Sequence, residues 1–196
     1  MHSFNGGITG SGKTYHAIQY ARGLNVPCIF VNPQQEDIRG FIRADGSNSL
    51  QQVKRALKDN KKINYIPDMD KKKSVIEIDY LVKTLCELGK KTLFVCDECD
   101  IWAGQGVSTS PLFFVAQRGR KWGIEGLFIS QSPSEVDKII LKNCEIQRVF
   151  RFNEFGEKYY RGYGYDTDKM RKMLEQKGEY SYILLENGAI KGAFKE

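Results

Sequence analysis

The chain has 196 residues, 41% hydrophobic and 28% charged, which excludes a disordered or low-complexity protein and suits one domain with a sizeable core. No apolar run approaches the roughly 20 residues of a membrane span, and a glycine-rich loop replaces the apolar segment of a signal peptide, so an intracellular protein is expected. The net charge of +6 permits a polyanionic partner, and five cysteines in apolar contexts fit buried free thiols in a reducing compartment.

In chain order, Met1 to Asn5 can supply only a very short strand before the loop Gly7-Ile8-Thr9-Gly10-Ser11-Gly12-Lys13-Thr14. That loop fits the phosphate-binding pattern of a glycine, four free positions and Gly-Lys-Thr. Glycines let successive backbone N–H groups turn inward as an anion nest. The helix expected from Tyr15 to about Gly23 adds the partial positive charge of its N-terminus. Lys13 would reach the β- and γ-phosphates of a nucleoside triphosphate, and the Thr14 hydroxyl would bind Mg²⁺. Gly7, Thr9, Gly10, Ser11, Gly12, Lys13 and Thr14 are therefore the candidate nucleotide-binding residues.

Pro27-Cys28-Ile29-Phe30-Val31, ended by Asn32-Pro33, reads as a buried strand. After a polar, basic stretch, Ser49 to Asp59 has helical spacing of Leu50, Val53 and Leu57, and Ile63 to Pro67 reads as another strand. Lys71-Lys72-Lys73 is placed in a turn before a helix from Val75 to Leu88. Thr92 to Glu98 is a central strand by pattern, and a loop from Ala103 to Ser110 leads into a helix from Pro111 to Lys121. Gly126 to Gln131 is a further buried strand, Ser134 is placed as the cap of a helix to Leu141, and Ile146 to Phe152 is the last core strand. Asp166 to Gln176 reads as a capped helix, and Tyr180 to Phe194, turning at Glu186-Asn187-Gly188, as a β-hairpin. Apolar strands alternating with helices predict a mainly parallel sheet covered on both faces, in a single domain spanning residues 1–196.

Leu93-Phe94-Val95-Cys96-Asp97-Glu98 ends an apolar strand in two carboxylates. Such a strand delivers Asp97 to the carboxyl edge of the sheet, where Mg²⁺ held by Thr14 would sit. Glu98 points differently and can polarise a water for attack on the γ-phosphate. Gln131, closing the next strand, can hydrogen-bond both that water and the phosphate, although the same position suits a simple polar strand cap. Arg118-Gly119-Arg120-Lys121 offers an arginine finger or, equally, a solvated basic helix end. Cys96 and Cys99 spell Cys-x-x-Cys, but with no second pair and no histidine at ligand spacing they read as structural. Lysine runs around Lys54, Lys61 and Lys71 suit a nucleic-acid backbone or an ordinary solvated surface. Trp102, Ser108 and Thr109 are candidates for contact with a threaded nucleic-acid strand.

The order of these features resembles the FtsK–HerA superfamily of ring-forming ATPases that pump DNA. The resemblance runs from Gly7–Thr14 through Asp97-Glu98, then Arg120-Lys121-Trp122-Gly123-Ile124, to Leu127-Phe128-Ile129-Ser130-Gln131-Ser132-Pro133-Ser134, covering about residues 3–152. It implies a P-loop NTPase fold of the RecA-like ASCE kind, ATP and Mg²⁺ as cofactors, Thr14 and Asp97 at the metal, and Glu98 as the catalytic base. It further implies Lys13 as phosphate ligand, Gln131 as sensor and Arg120 as a finger acting on a neighbouring subunit, with Arg118 as substitute. Small size and the lack of added domains are most similar to the viral genome-packaging branch. The implied partners are double-stranded DNA, a homo-oligomeric ring of five or six copies and a capsid or vertex protein. The implied location is the host cytoplasm or the virion. Ser132 departs from the superfamily's usual arginine. The rival readings are a filamentous-phage assembly ATPase, a thymidine-kinase-like enzyme, whose zinc-binding cysteine pairs are missing after Cys144, and a slowly hydrolysing nucleotide switch.

Overall fold

The structure, a computed structural model, describes residues 1–195. Its strands are β1 (Ser3–Gly6), β2 (Cys28–Val31), β3 (Ile42–Asp45), β4 (Lys62–Ile66), β5 (Thr92–Cys96), β6 (Ile124–Ser130), β7 (Ile146–Val149), β8 (Ser181–Glu186) and β9 (Ala189–Lys195). Its helices are α1 (Lys13–Gly23), α2 (Leu50–Lys58), α3 (Lys71–Leu88), α4 (Asp100–Ala103), α5 (Pro111–Arg118), α6 (Lys138–Asn143), α7 (Glu154–Gly162) and α8 (Thr167–Lys177). All nine strands join one sheet in the order β3-β4-β2-β5-β6-β1-β7-β8-β9. The pairs from β3 across to β7 are parallel, whereas β8 runs antiparallel to β7 and β9 antiparallel to β8.

Successive residues of the inner strands point to opposite faces, so each buried strand feeds two cores. Ile29, Val31, Phe94, Cys96 and Phe128 pack with α2, α3, α5 and α6 through residues such as Leu57, Leu81, Leu85 and Leu112. Cys28, Phe30, Leu93, Val95, Leu127 and Ile129 face the other way, onto Ala17 and Ala21 of α1. Small residues on α1 let the helix lie close to the sheet, which draws its N-terminus over the carboxyl edge of β1. A third cluster of Val149, Phe152, Tyr160, Met170, Leu174, Ile183 and Leu185 binds α7 and α8 to the hairpin.

The short first strand is internal, paired with β6 from Ser3↔Leu127 to Gly6↔Ser130 and with β7 from Ser3↔Ile146 to Gly6↔Val149. Four residues suffice because both edges of the strand are hydrogen-bonded and Phe4 is 1% exposed. Several local expectations are corrected. Lys71-Lys72-Lys73 is the first turn of α3, since the Asp70 side chain accepts from the N–H groups of Lys72 and Lys73. Asp137, not Ser134, caps the helix before β7, accepting from the N–H of Ile139 at 2.7 Å. Three elements are additional: β3, an edge strand in which only Ala44 is buried, α4, a single turn after β5, and α7, capped by Asn153, whose side chain accepts from Gly156 N–H.

Candidate nucleotide-hydrolysis site

The strand order explains how residues far apart in the chain meet. β5, β6 and β1 are consecutive in the sheet, so the segments that leave their carboxyl ends lie side by side. From β1 comes the phosphate loop. Its backbone is tied on both flanks, by Gly7 N–H to the Ser130 carbonyl at 3.3 Å and Ile8 N–H to the Arg151 carbonyl at 2.8 Å. Gly12 has φ 100° and hands the chain to α1, whose first turn is braced by the Asn5 amide donating to the Lys13 carbonyl at 3.2 Å. The Lys13 ammonium, 6% exposed, spans the loop and donates to the Ile8 carbonyl at 2.8 Å. Burial pulls its pKa down, opposed by the carboxylates of Asp97 and Glu98. An anionic phosphate in the nest would satisfy this ammonium better than one carbonyl does.

From β5 come the two carboxylates. Thr14 Oγ1 donates to Asp97 Oδ2 at 2.9 Å, joining the loop to the strand end. Asp97 is 3% exposed, and burial raises its pKa, while the Thr14 hydroxyl, the Glu98 N–H and the Lys13 charge pull it down. A buried carboxylate beside a hydroxyl is a hard-oxygen donor pair suited to Mg²⁺, which takes one or two protein ligands and completes its shell with water and phosphate oxygens. Among the described residues no three or more His, Cys, Asp or Glu cluster as a metal site. Glu98 adopts φ 47°, a left-handed conformation uncommon for a side-chain-bearing residue, and its N–H donates to Asp97 Oδ1 at 3.0 Å. This turn separates the directions of the two acids.

From β6 comes Gln131. Its Oε1 accepts from Thr9 Oγ1 at 2.7 Å, and its Nε2 donates to Glu98 Oε1 at 3.2 Å. One side chain thus links the phosphate loop to Glu98, a role a plain strand cap would not have. Beside this link, a cleft of about 590 Å³ is lined by Ile8, Thr9, Gln131, Ser132, Asn153 and Phe155. A larger cavity of about 760 Å³ lies elsewhere, between α3 and α5, and touches none of these residues.

Glu98 has a second amide partner that sequence reading missed. Gln34, just beyond β2, donates from Nε2 to Glu98 Oε1 at 3.1 Å. The available signal was positional: β2 is an apolar strand whose polar exit, Asn32-Pro33-Gln34, reaches the same sheet edge.

Arg120 is not brought to this site. It lies in the 3₁₀ turn Gly119–Trp122 before β6, at the amino edge of the parallel strands, and pairs with Glu145. Within one chain it cannot reach the phosphates, so any finger role requires a neighbouring copy. Arg118 is exposed at the end of α5. Cys96 and Cys99 are fully buried with thiol pKa values pushed well up by desolvation, as expected of core thiols. Trp102 is corrected: it is 2% exposed and its indole N–H donates to Ser74 Oγ at 2.9 Å, so it cannot touch a threaded strand. Of the basic stretches, Lys54 pairs with Glu87 and Lys73 with Asp68.

In overall shape the chain matches the genome packaging NTPase B204 of Sulfolobus turreted icosahedral virus 2 bound to ATP-gammaS, with TM-score 0.74 and 15% identity over 99% of this chain and 96% of that one. B204 of Sulfolobus turreted icosahedral virus, described as a DNA-packaging ATPase, matches with TM-score 0.70 and 14% identity over 100% and 97%. ATPases 2 and 3 of EssC from Geobacillus thermodenitrificans match with TM-score 0.56 and 14% identity, over 99% of this chain and 39% of that one. No curated protein sequence matches. The fold is therefore that of a P-loop NTPase, with the antiparallel hairpin β8–β9 at its C-terminal end. The family described as zonular occludens toxin (Zot) matches residues 1–178, and this chain belongs to that family.

Proposed function

We propose that the protein hydrolyses Mg-ATP and uses the energy to translocate double-stranded DNA, packaging a viral genome into a preformed capsid. The observation that carries hydrolysis is the hydrogen-bonded line from Thr9 through Gln131 to Glu98, lying beside the Thr14–Asp97 pair. A nucleotide-binding switch has no need of a carboxylate connected to the phosphate loop in this way. The coupling to DNA is supported by the whole-length likeness in fold to a genome packaging NTPase.

In this reading the loop amides from Gly7 to Thr14 and the N-terminus of α1 hold the β- and γ-phosphates. Lys13 exchanges the Ile8 carbonyl for a phosphate oxygen. Thr14 and Asp97 would hold Mg²⁺, which when bound would supply neutralisation of charge on the phosphates. Glu98 accepts a proton from the attacking water, and Gln131 orients that water and registers loss of the γ-phosphate. Arg120 projects into the site of the next subunit of a ring of five or six copies. A capsid or vertex protein completes the assembly, in the host cytoplasm or on the virion.

A second reading, an ATPase that assembles and exports a filamentous phage, is compatible with membership of the zonular occludens toxin family. No helix of the described residues is long and apolar enough to cross a membrane. The test is ATP turnover measured with and without double-stranded DNA over a range of protein concentrations. Turnover should rise with DNA and more than linearly with protein. Glu98→Gln should still bind nucleotide, with hydrolysis lowered at least ~100-fold, the scale of a positioned base. Turnover indifferent to both DNA and protein concentration would sink the ring-translocase reading. Phosphorylation of a deoxynucleoside would replace it with a kinase, and stimulation only by membrane vesicles would favour the assembly ATPase.

A further inference from the structure

Glu98 Oε1 receives two amide donors, from Gln131 at 3.2 Å and Gln34 at 3.1 Å. They arrive from opposite sides, because β6 and β2 flank β5 on its two edges. Gln131 stands on the side of the phosphate loop and shares its other end with Thr9. A bound γ-phosphate competes for this amide and for the Thr9 hydroxyl. Gln34 stands on the far side and has no such competitor.

The segment carrying Gln34 is built to hold its position. Asn32, 4% exposed, donates to the Glu36 carbonyl at 2.9 Å and to Asn64 Oδ1 at 3.1 Å, and its own Oδ1 accepts the Gln34 N–H at 3.2 Å. Asn64, 1% exposed, donates to the same Glu36 carbonyl at 2.8 Å. Arg43 donates to the Gln35 carbonyl at 2.9 Å. Gln35 itself sits at φ 64°, a left-handed conformation that persists only where the surroundings over-determine it. Two buried asparagines and a strained turn thus fix an exposed glutamine against the acid.

We propose that Gln34 is a positioning residue for Glu98. Its amide keeps one carboxylate oxygen occupied, so that the other is presented to the attacking water when Gln131 is drawn to the γ-phosphate. The proposal rests on the reading of Glu98 as the base that accepts the water's proton.

The test uses the full chain, with ATP turnover and binding of a non-hydrolysable ATP analogue measured for Gln34→Ala and Gln34→Glu. Gln34→Ala should lower kcat about tenfold, the loss of one oriented charge-assisted hydrogen bond. KM and analogue affinity should stay within about twofold. Gln34→Glu preserves shape but replaces the donor with a like charge, so its kcat should fall at least as far. Added to Glu98→Gln, Gln34→Ala should leave the residual turnover unchanged, because a residue acting through Glu98 has nothing left to position. Unchanged kcat in both Gln34 variants, or a rise in kcat, would overturn the proposal. So would an equal loss of analogue binding, or a further loss on top of Glu98→Gln. A fully active Glu98→Gln would overturn the base reading and this proposal with it. An inactive Glu98→Gln beside unaffected Gln34 variants would overturn this proposal alone.

Discussion

Replacing Gly7 with alanine asks whether the phosphate loop is held in place by the chain that follows β7. A Cβ at Gly7 would lie 2.8 Å from the Arg151 carbonyl oxygen and 2.8 Å from Phe150 Cβ. Both distances are well inside van der Waals contact, and neither neighbour can rotate away. Relief requires residues 7–8 to part from residues 150–151, stretching the hydrogen bonds Ile8 N–H to Arg151 and Phe150 N–H to the Gly6 carbonyl, each 2.8 Å. One lost backbone hydrogen bond costs about 1 kcal/mol. Overpacking strain in a dense interior adds about 1–3 kcal/mol. At roughly 2–4 °C per kcal/mol for a chain of this size, the sum of about 2–4 kcal/mol lowers Tm by about 5–15 °C.

The matched control is Gly10→Ala. Gly10 has φ 72° with nothing within 4 Å of an added Cβ, so only the left-handed conformation is penalised, at about 1–2 kcal/mol. Thermal unfolding followed by circular dichroism, with binding of a fluorescent ATP analogue, distinguishes the two. Gly7→Ala should melt lower than Gly10→Ala and lose at least about tenfold in analogue affinity, because the loop amides move with it. A Gly7→Ala melting within about 2 °C of the parent chain, or a Gly10→Ala equally damaged, would refute the steric argument.

Two further predictions concern charge. Burial lowers the pKa of His2 and of His16 to about 4, helped at His2 by the N-terminus and Arg120 and at His16 by Arg148. The unfolded chain therefore takes up protons before the folded one, so stability is complete above about pH 6.5 and is lost as pH falls toward 4. The urea midpoint should fall between pH 6.5 and 5, above the range of ordinary carboxylates, and His16→Phe should flatten the slope. A midpoint constant over that window would contradict the burial of both imidazoles. For Arg120, mixing Arg120→Ala with Lys13→Ala chains should recover part of the ATPase activity that neither has alone, since some interfaces then pair an intact finger with an intact loop. No recovery at any mixing ratio would remove Arg120 from the site of its neighbour.

Much of the site was legible because its residues are consecutive. Gly7–Thr14 carries the geometry of an anion nest in its own glycines, and Asp97-Glu98 ends a strand whose apolar run announces burial. Elements with mixed pattern were not legible. In β3 the alternation of Ile42, Arg43, Ala44 and Asp45 is only four residues long and Ile42 is exposed, and α7 carries a glycine, Gly156, in its first turn after the Asn153 cap. The lysines at 71–73 looked like a turn because charge runs are usually solvated, yet Asp70 makes them the first turn of α3. Trp102 looked available in a polar loop, but its indole is claimed by Ser74, a partner 28 residues earlier.

By itself the sequence determined that a glycine-rich loop of phosphate-binding pattern, Asp97 and the adjacent acid Glu98 stand at strand ends, because local composition sets a strand, its burial and its exit. Which strand ends are neighbours is a property of the sheet order. Only the tertiary structure placed β1 in the interior, set Gln131 between Thr9 and Glu98, and brought Gln34 to the same carboxylate. It also carried Arg120 to the opposite edge, beside Glu145. Hydrogen bonds between residues 33, 64 or 122 positions apart leave no periodic trace along the chain, and the surroundings of Glu98 are built from them.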